Sequence, residues 1–114
     1  MTNIVKIELT KEFKRNLQLL ARKYRHIKTD LQPVIDQIQS GQVIGSQIKG
    51  IGYTVFKVRI KNNDIQRGKS SGYRLIYYLK TPVDIILVYI YSKLEQADIL
   101  AKEIRNIISN NILL

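Results

Sequence analysis

Residues 72–91 read GYRLIYYLKTPVDIILVYIY. Two runs rich in β-branched and aromatic residues flank a short break at Pro82 and Asp84, where turn residues belong. The first run, Gly72 to Lys80, carries apolar and polar residues on both faces, and Ile85 to Tyr91 is apolar nearly throughout. Both patterns predict central strands buried on two sides. Just upstream, residues 54–61 read TVFKVRIK. Here the alternation is clean: Phe56, Val58 and Ile60 point one way, Lys57, Arg59 and Lys61 the other. Connections this short join the three strands as an antiparallel meander.

Outward from that meander, Val5, Ile7 and Leu9 alternate with Lys6 and Glu8, which predicts a strand with one buried face. Thr10 is placed to cap a helix, with Glu12 in the first turn. Phe13, Leu17, Leu20 and Tyr24 follow at helical spacing, opposite Lys14, Arg15, Arg22, Lys23 and Arg25. A second helix is predicted from Thr29 to Gln39, with Pro33 in its first turn and Gly41 just past its end. The glycine-rich stretch 41–52 reads as a loop. Ser92 and Glu95 form a capping box for a last helix whose apolar side is Ala97, Leu100, Ala101, Ile104, Ile107 and Ile108. The order is β-α-α-β-β-β-α, an α+β fold in one domain spanning residues 1–114. The first strand reaches the sheet through the helical pair, the helices cover one face, and the other stays open, curved and wet.

Nineteen Lys and Arg oppose nine Asp and Glu, for a net charge of +10 over 114 residues. Such a field favours polyanions. The chain has no cysteine, so disulfides, thiolate metal sites and a cysteine nucleophile are excluded. No signal-peptide layout opens it, and its longest apolar run is far short of the roughly 18 residues that span a bilayer. These features predict a cytoplasmic protein without membrane association.

The predicted open face gathers Lys57, Arg59 and Lys61 from one strand, Arg74 from the next, and Tyr89, Tyr91 and Lys93 from the third. The loop 62–72 adds Arg67 and Lys69 beside glycines and serines. A basic stripe on one strand is ordinarily solvated surface. Three strands and a loop contributing together point instead to phosphates held by cations and unpaired bases stacked on tyrosines. Cleavage of RNA by its own 2′-hydroxyl needs a proton acceptor, charge stabilisation and a proton donor. His26 is the sole histidine and lies in the helical hairpin, and the carboxylates show no metal-ligand spacing. Chemistry on this patch would be metal-free and cofactor-free, run by Lys, Arg and Tyr. Gly68-Lys69-Ser70 is not a P-loop, since Asn63 stands where its first glycine belongs and a strand follows instead of a helix.

Gly72-Tyr73-Arg74-Leu75-Ile76-Tyr77-Tyr78 resembles the central strand of RelE/ParE toxins. The stretch from Gly68 to Arg74, with Ile90-Tyr91-Ser92-Lys93 and Glu95-Gln96, is similar to the HigB-like branch of mRNA interferases. The resemblance extends over nearly the whole chain. It implies a RelE-like fold and the toxin of a type II toxin–antitoxin system, one that enters the ribosomal A site and cuts mRNA. It also implies a cognate antitoxin with a DNA-binding part, and a toxin–antitoxin complex that regulates its own operon. By the same resemblance Lys57 and Arg59 contact or activate RNA and Arg74 stabilises the phosphate. Lys57 or Lys69 then serves as base or relay, and Tyr91 with Lys93 stacks on bases and protonates the leaving group. Lys61, Arg67 and Tyr89 bind RNA. An arginine and a tyrosine near the family's C-terminus correspond here to Leu94 and Leu100. Two alternatives remain open at the level of sequence: a ParE-like inhibitor of gyrase without nuclease activity, and an RNA-binding module without chemistry.

Overall fold

The computed structural model describes residues 4–65 and 71–112. The elements run β1 (Lys6–Leu9), α1 (Lys11–Lys23), α2 (Ile27–Gln39), β2 (Ser46–Ile48), β3 (Val55–Ile60), β4 (Tyr73–Thr81), β5 (Asp84–Ser92) and α3 (Ala101–Ile112). One five-stranded sheet has the order β1-β5-β4-β3-β2. β1 lies parallel to β5, and every other neighbour is antiparallel. The expected α+β class, the antiparallel meander and the crossover of β1 through the helical pair are all present.

Alternation sorts the sheet's side chains onto two faces. Val58, Ile60, Tyr73, Leu75, Tyr77, Leu87 and Ile90 pack beneath α1 and α2, against Phe13, Leu20, Tyr24, Ile27, Leu31 and Ile38. Thr10 caps α1 as its sequence position predicts, its hydroxyl accepting from the Phe13 N–H at 2.9 Å. That hydroxyl also donates to the Val88 carbonyl at 2.7 Å, which fixes the helix start to the sheet. After α2, Gly41 adopts φ 94°, and Gln42 N–H reaches back to the Gln37 carbonyl at 3.1 Å. This is the left-handed helix ending that glycine permits without a Cβ penalty.

Three details differ from the sequence reading. The stretch 41–52 contains a short edge strand, β2. The Tyr77 hydroxyl accepts from Ile44 N–H at 2.9 Å and donates to Ile44 O at 2.6 Å, which lays the following residues along β3. The helix α2 begins at Ile27, so Pro33 sits inside it and not in its first turn. The last helix begins at Ala101, because Ser92 closes only one turn, its carbonyl accepting from Glu95 and Gln96 N–H at 3.0 Å each.

The helices also divide between the two faces and do not all share one. Ile104, Ile107 and Ile108 of α3 pack with Val55, Ile76, Ile86 and Val88 on the side opposite α1 and α2. Arg105 Nη1 donates to the Gly50 carbonyl at 3.1 Å, and the Tyr53 and Ser109 hydroxyls lie 3.2 Å apart, anchoring that helix to the loop before β3. The physical reason is the apolar stretch of this second face at Val55, Tyr78 and Ile86, which needs cover as much as the first face does.

Candidate active site

The second face is graded along the strands. Strand register places Val55, Tyr78 and Ile86 in one row, Lys57, Ile76 and Tyr89 in the next, and Arg59, Arg74 and Tyr91 in the third. The first row belongs to the cluster under α3. The third row is where the cations gather, at the margin of that cluster, which takes in Tyr91 and, from the second row, Ile76. Ile76, fully buried, is the floor between them.

Arg74 is only 5 % exposed although it carries a full charge. One of its nitrogens, Nη1, donates to the Tyr73 carbonyl at 3.1 Å. Burial first, and the neighbouring Arg59 second, pull its guanidinium below the ordinary arginine value. Both influences work against the charge, and an anion placed beside it would relieve both. Arg59 is exposed on the adjoining strand.

Asp98, from the segment between β5 and α3, joins the two sides of this patch. Its Oδ1 accepts from Lys57 Nζ at 3.0 Å, from the Tyr91 hydroxyl at 3.3 Å and from the Ile99 N–H at 2.8 Å. The Lys57 ammonium, ahead of the Ile99 amide, holds the Asp98 carboxyl below the usual carboxylate range. Tyr91 is pushed up to about 12, by burial first and by Asp98 next, so its hydroxyl keeps its proton near neutrality. The neighbouring Tyr89 donates to Gln96 Oε1 at 3.3 Å, and its ring centroid lies 6.1 Å from that of Tyr91 at a tilt of 49°. Beyond β3, a groove lined by Ser46, Gln47, Lys49, Lys57 and Arg59 continues the basic surface toward β2.

Lys57, Arg59, Arg74, Tyr89 and Tyr91 therefore share one face, as the alternation predicts. Lys61 falls just past the end of β3 and is exposed. Lys93 lies just past β5, where its ammonium donates to the Ala97 carbonyl at 2.6 Å. Arg67 and Lys69 lie outside the described residues. His26 belongs elsewhere: its Nδ1 contacts Asp64 Oδ1 at 2.6 Å, and its own N–H donates to Asp64 Oδ2 at 2.9 Å. With the Asp30–Asn63 contacts, this fixes the loop after β3 to the start of α2.

A family model described as the RelE toxin of the RelE/RelB toxin–antitoxin system matches residues 5–110. The chain belongs to the RelE toxin family. No curated protein and no solved structure matches it. As a RelE toxin it is the toxin of a toxin–antitoxin system, and an antitoxin is its partner. Among the described residues, none of its helices is long and apolar enough to cross a membrane.

Two residues of this RelE toxin's patch escape a reading of the sequence. Lys49 lies in a glycine-rich stretch with no strand pattern to give it a direction. Asp98 stands seven residues beyond Tyr91 in a segment that reads as helix. The one available signal is that a carboxylate lies within seven residues of a strand rich in tyrosine and basic neighbours. Leu94 and Leu100, 46 % and 67 % exposed, flank the same segment and bring no proton chemistry to it.

Proposed function

We propose that this RelE toxin is an mRNA endoribonuclease acting on the ribosome, without a metal or cofactor. The observation that carries the reading is the row Arg59–Arg74–Tyr91, with Lys57 beside it, on one face of the sheet. The reaction is attack of a 2′-oxygen on the adjacent phosphorus, with cleavage of the bond to the 5′-oxygen. It leaves a 2′,3′-cyclic phosphate on one fragment and a 5′-hydroxyl on the other.

Each group has a part that its surroundings suit. Arg74 and Arg59 stabilise charge on the phosphorane. A cation already stripped of water acts on an anion without reorganising solvent at the moment of reaction. Lys57 or Lys69 relays the 2′-hydroxyl proton, and Asp98 orients the Lys57 side chain beside the row. Tyr91, protonated near neutrality, can donate to the leaving 5′-oxygen once its hydroxyl turns from Asp98. Tyr89 and Lys93 hold the flanking nucleotides, with Lys61 and Arg67 on the phosphates. The ribosome contributes by holding the codon in line, an orientation that a small patch cannot impose alone. In the same reading the toxin works in the cytoplasm, and its antitoxin carries a DNA-binding part through which the complex regulates its own operon.

The test is to add purified protein to translating ribosomes and map the mRNA ends. Wild-type protein should cut within codons in the A site. Arg74→Ala should lose cutting about 100-fold or more while keeping its fold, the scale seen when one charge-stabilising donor is removed. Supercoiling inhibition of gyrase without mRNA cleavage would replace this reading with the ParE-like one.

A further inference from the structure

The edge of β5 offers a further site beside the row that carries the cleavage chemistry. β1 pairs with β5 only as far as Leu87. Beyond that point α1 runs along the strand edge in place of a neighbouring strand. The Thr10 N–H donates to Leu87 O at 3.1 Å, and Asn16 Nδ2 donates to Ile90 O at 3.2 Å. A notch of about 170 Å³ remains there, between α1 and the turn after β5.

The backbone polarity inside the notch follows from register. Lys93 N–H donates to Gly72 O at 2.9 Å, and Arg74 pairs with Tyr91. In an antiparallel ladder the alternate residues, Ile90 and Ser92, must turn their N–H and C=O groups away from β4. Both line the notch. Their carbonyls are satisfied, Ile90 O by Asn16 and Ser92 O by the Glu95 and Gln96 amides. Their N–H groups have no acceptor among the described residues. Because Asn16 spends its amino group on Ile90 O, its Oδ1 is left as an acceptor. Tyr89 and Tyr91 also line it, with Leu19 half-exposed at the rim.

We propose that this notch binds one unpaired nucleobase of the RNA whose phosphate lies on the Arg59–Arg74 row. The inference rests on the nuclease reading for its substrate and adds the place where a base is read. Two backbone donors and one amide acceptor, in a notch lined by two tyrosines and a leucine, match the mixed edge of a base. The volume suits a single flat ring system and is too narrow for an added peptide strand, since α1 already occupies that edge. Tyr91 lines the notch and also lies in the phosphate row, so the base site and the scissile phosphate adjoin.

The experiment titrates ¹⁵N-labelled protein with each of the four ribonucleosides, which carry no phosphate, and separately with inorganic phosphate. The Ile90 and Ser92 amide signals should shift saturably with one or two nucleosides and not with the rest. Leu19→Trp, which fills the rim, should abolish those shifts and leave the phosphate response of the Arg74 and Tyr91 amides intact. Asn16→Ala, which removes the acceptor without adding bulk, should weaken nucleoside binding about tenfold, the equivalent of roughly 1.4 kcal/mol. If phosphate binds at Arg74 but no nucleoside moves Ile90 or Ser92, the base pocket is wrong and the nuclease reading survives. If nucleosides bind and phosphate does not, the pocket stands and the nuclease reading loses its support. Shifts at Ile90 and Ser92 caused by an antitoxin peptide alone would assign the notch to the protein partner and overturn the proposal.

Discussion

Arg59 and Arg74 stand directly opposite one another on β3 and β4. Gly72 bonds to Lys93 across β5. Arg74, two residues on, therefore also turns its backbone toward β5, and Arg59–Arg74 is a non-hydrogen-bonded pair. Such pairs bring the two Cα atoms to about 4.5 Å and their side chains closest together. Two like charges in that position weaken a sheet. The arrangement costs folding energy and favours an anion between the two side chains.

Arg59→Gln should therefore stabilise the fold by about 0.2–1 kcal/mol, the range for cross-strand pairs. The same change should lower mRNA cleavage at least about tenfold, because one phosphate contact is lost. Urea unfolding and end mapping on one preparation check both. A variant that is less stable than wild type would show that the two arginines do not oppose each other energetically.

Asp98→Asn separates the wild-type and variant stability curves in a defined pH range. The folded carboxyl lies below its unfolded value of 3.8, with the Lys57 ammonium as the main cause. A carboxyl lowered in this way adds stability that is complete above 3.8 and fades as pH falls through the folded value. The wild-type advantage over Asn should be constant at neutral pH and disappear in acid. It should be small, since the Asp98 side chain is 65 % exposed and solvent screens it. Denaturation across pH 2 to 7 measures it, and an advantage that grows in acid would reverse the assignment.

Tyr91 predicts the opposite edge of the pH range. Burial first, and Asp98 next, push its hydroxyl up to about 12 in the folded chain, from an ordinary phenol value of 10.0. Unfolded chains lose this proton first, so stability should fall as pH rises from 10 toward 12. Tyr91→Phe should reduce that loss by Tyr91's share, the remainder coming from Tyr73, Tyr77 and Tyr78, which burial also raises, and Asp98→Asn should shift the Tyr91 titration downward in an ultraviolet absorbance titration. An unchanged titration in the Asn variant would mean that the Tyr91–Asp98 hydrogen bond is not formed in solution.

Gly72 leads into the strand that carries Arg74, and a Cβ there would run into the Ile60 carbonyl oxygen on β3. Neither backbone can give way without breaking the ladder, so Gly72→Ala should cost on the order of 2 kcal/mol or more. Thermal unfolding reads the loss directly. A neutral effect would mean that β3 and β4 diverge at this end more than their register implies.

The meander was legible because its alternation has one solution: with Phe56, Val58 and Ile60 inward, Lys57 and Arg59 must face the other way. Arg74 and Tyr91 were legible for the same reason, since a period of two fixes the face once the strand is found. The side that α3 covers was not legible. Its apolar stripe of Ile104, Ile107 and Ile108 says that it must bury a face, and nothing in that stripe says which. The edge strand β2 was hidden because it is only three residues long, set between Gly45 and Gly50, and its pairing depends on the distant Tyr77 hydroxyl. Asp98 was hidden because its partners are 41 residues back on β3 and seven back on β5, a closure that only the folded sheet creates.

An mRNA carrying a single 2′-deoxy substitution at a mapped cut position, presented on translating ribosomes, tests the chemistry of the Lys57–Arg59–Arg74–Tyr91 face most directly. Without that 2′-hydroxyl there is no internal nucleophile, so cutting should vanish at the substituted position and persist at the others. Cutting that continues at the substituted position would contradict the mechanism, because the attacking oxygen would then have come from elsewhere.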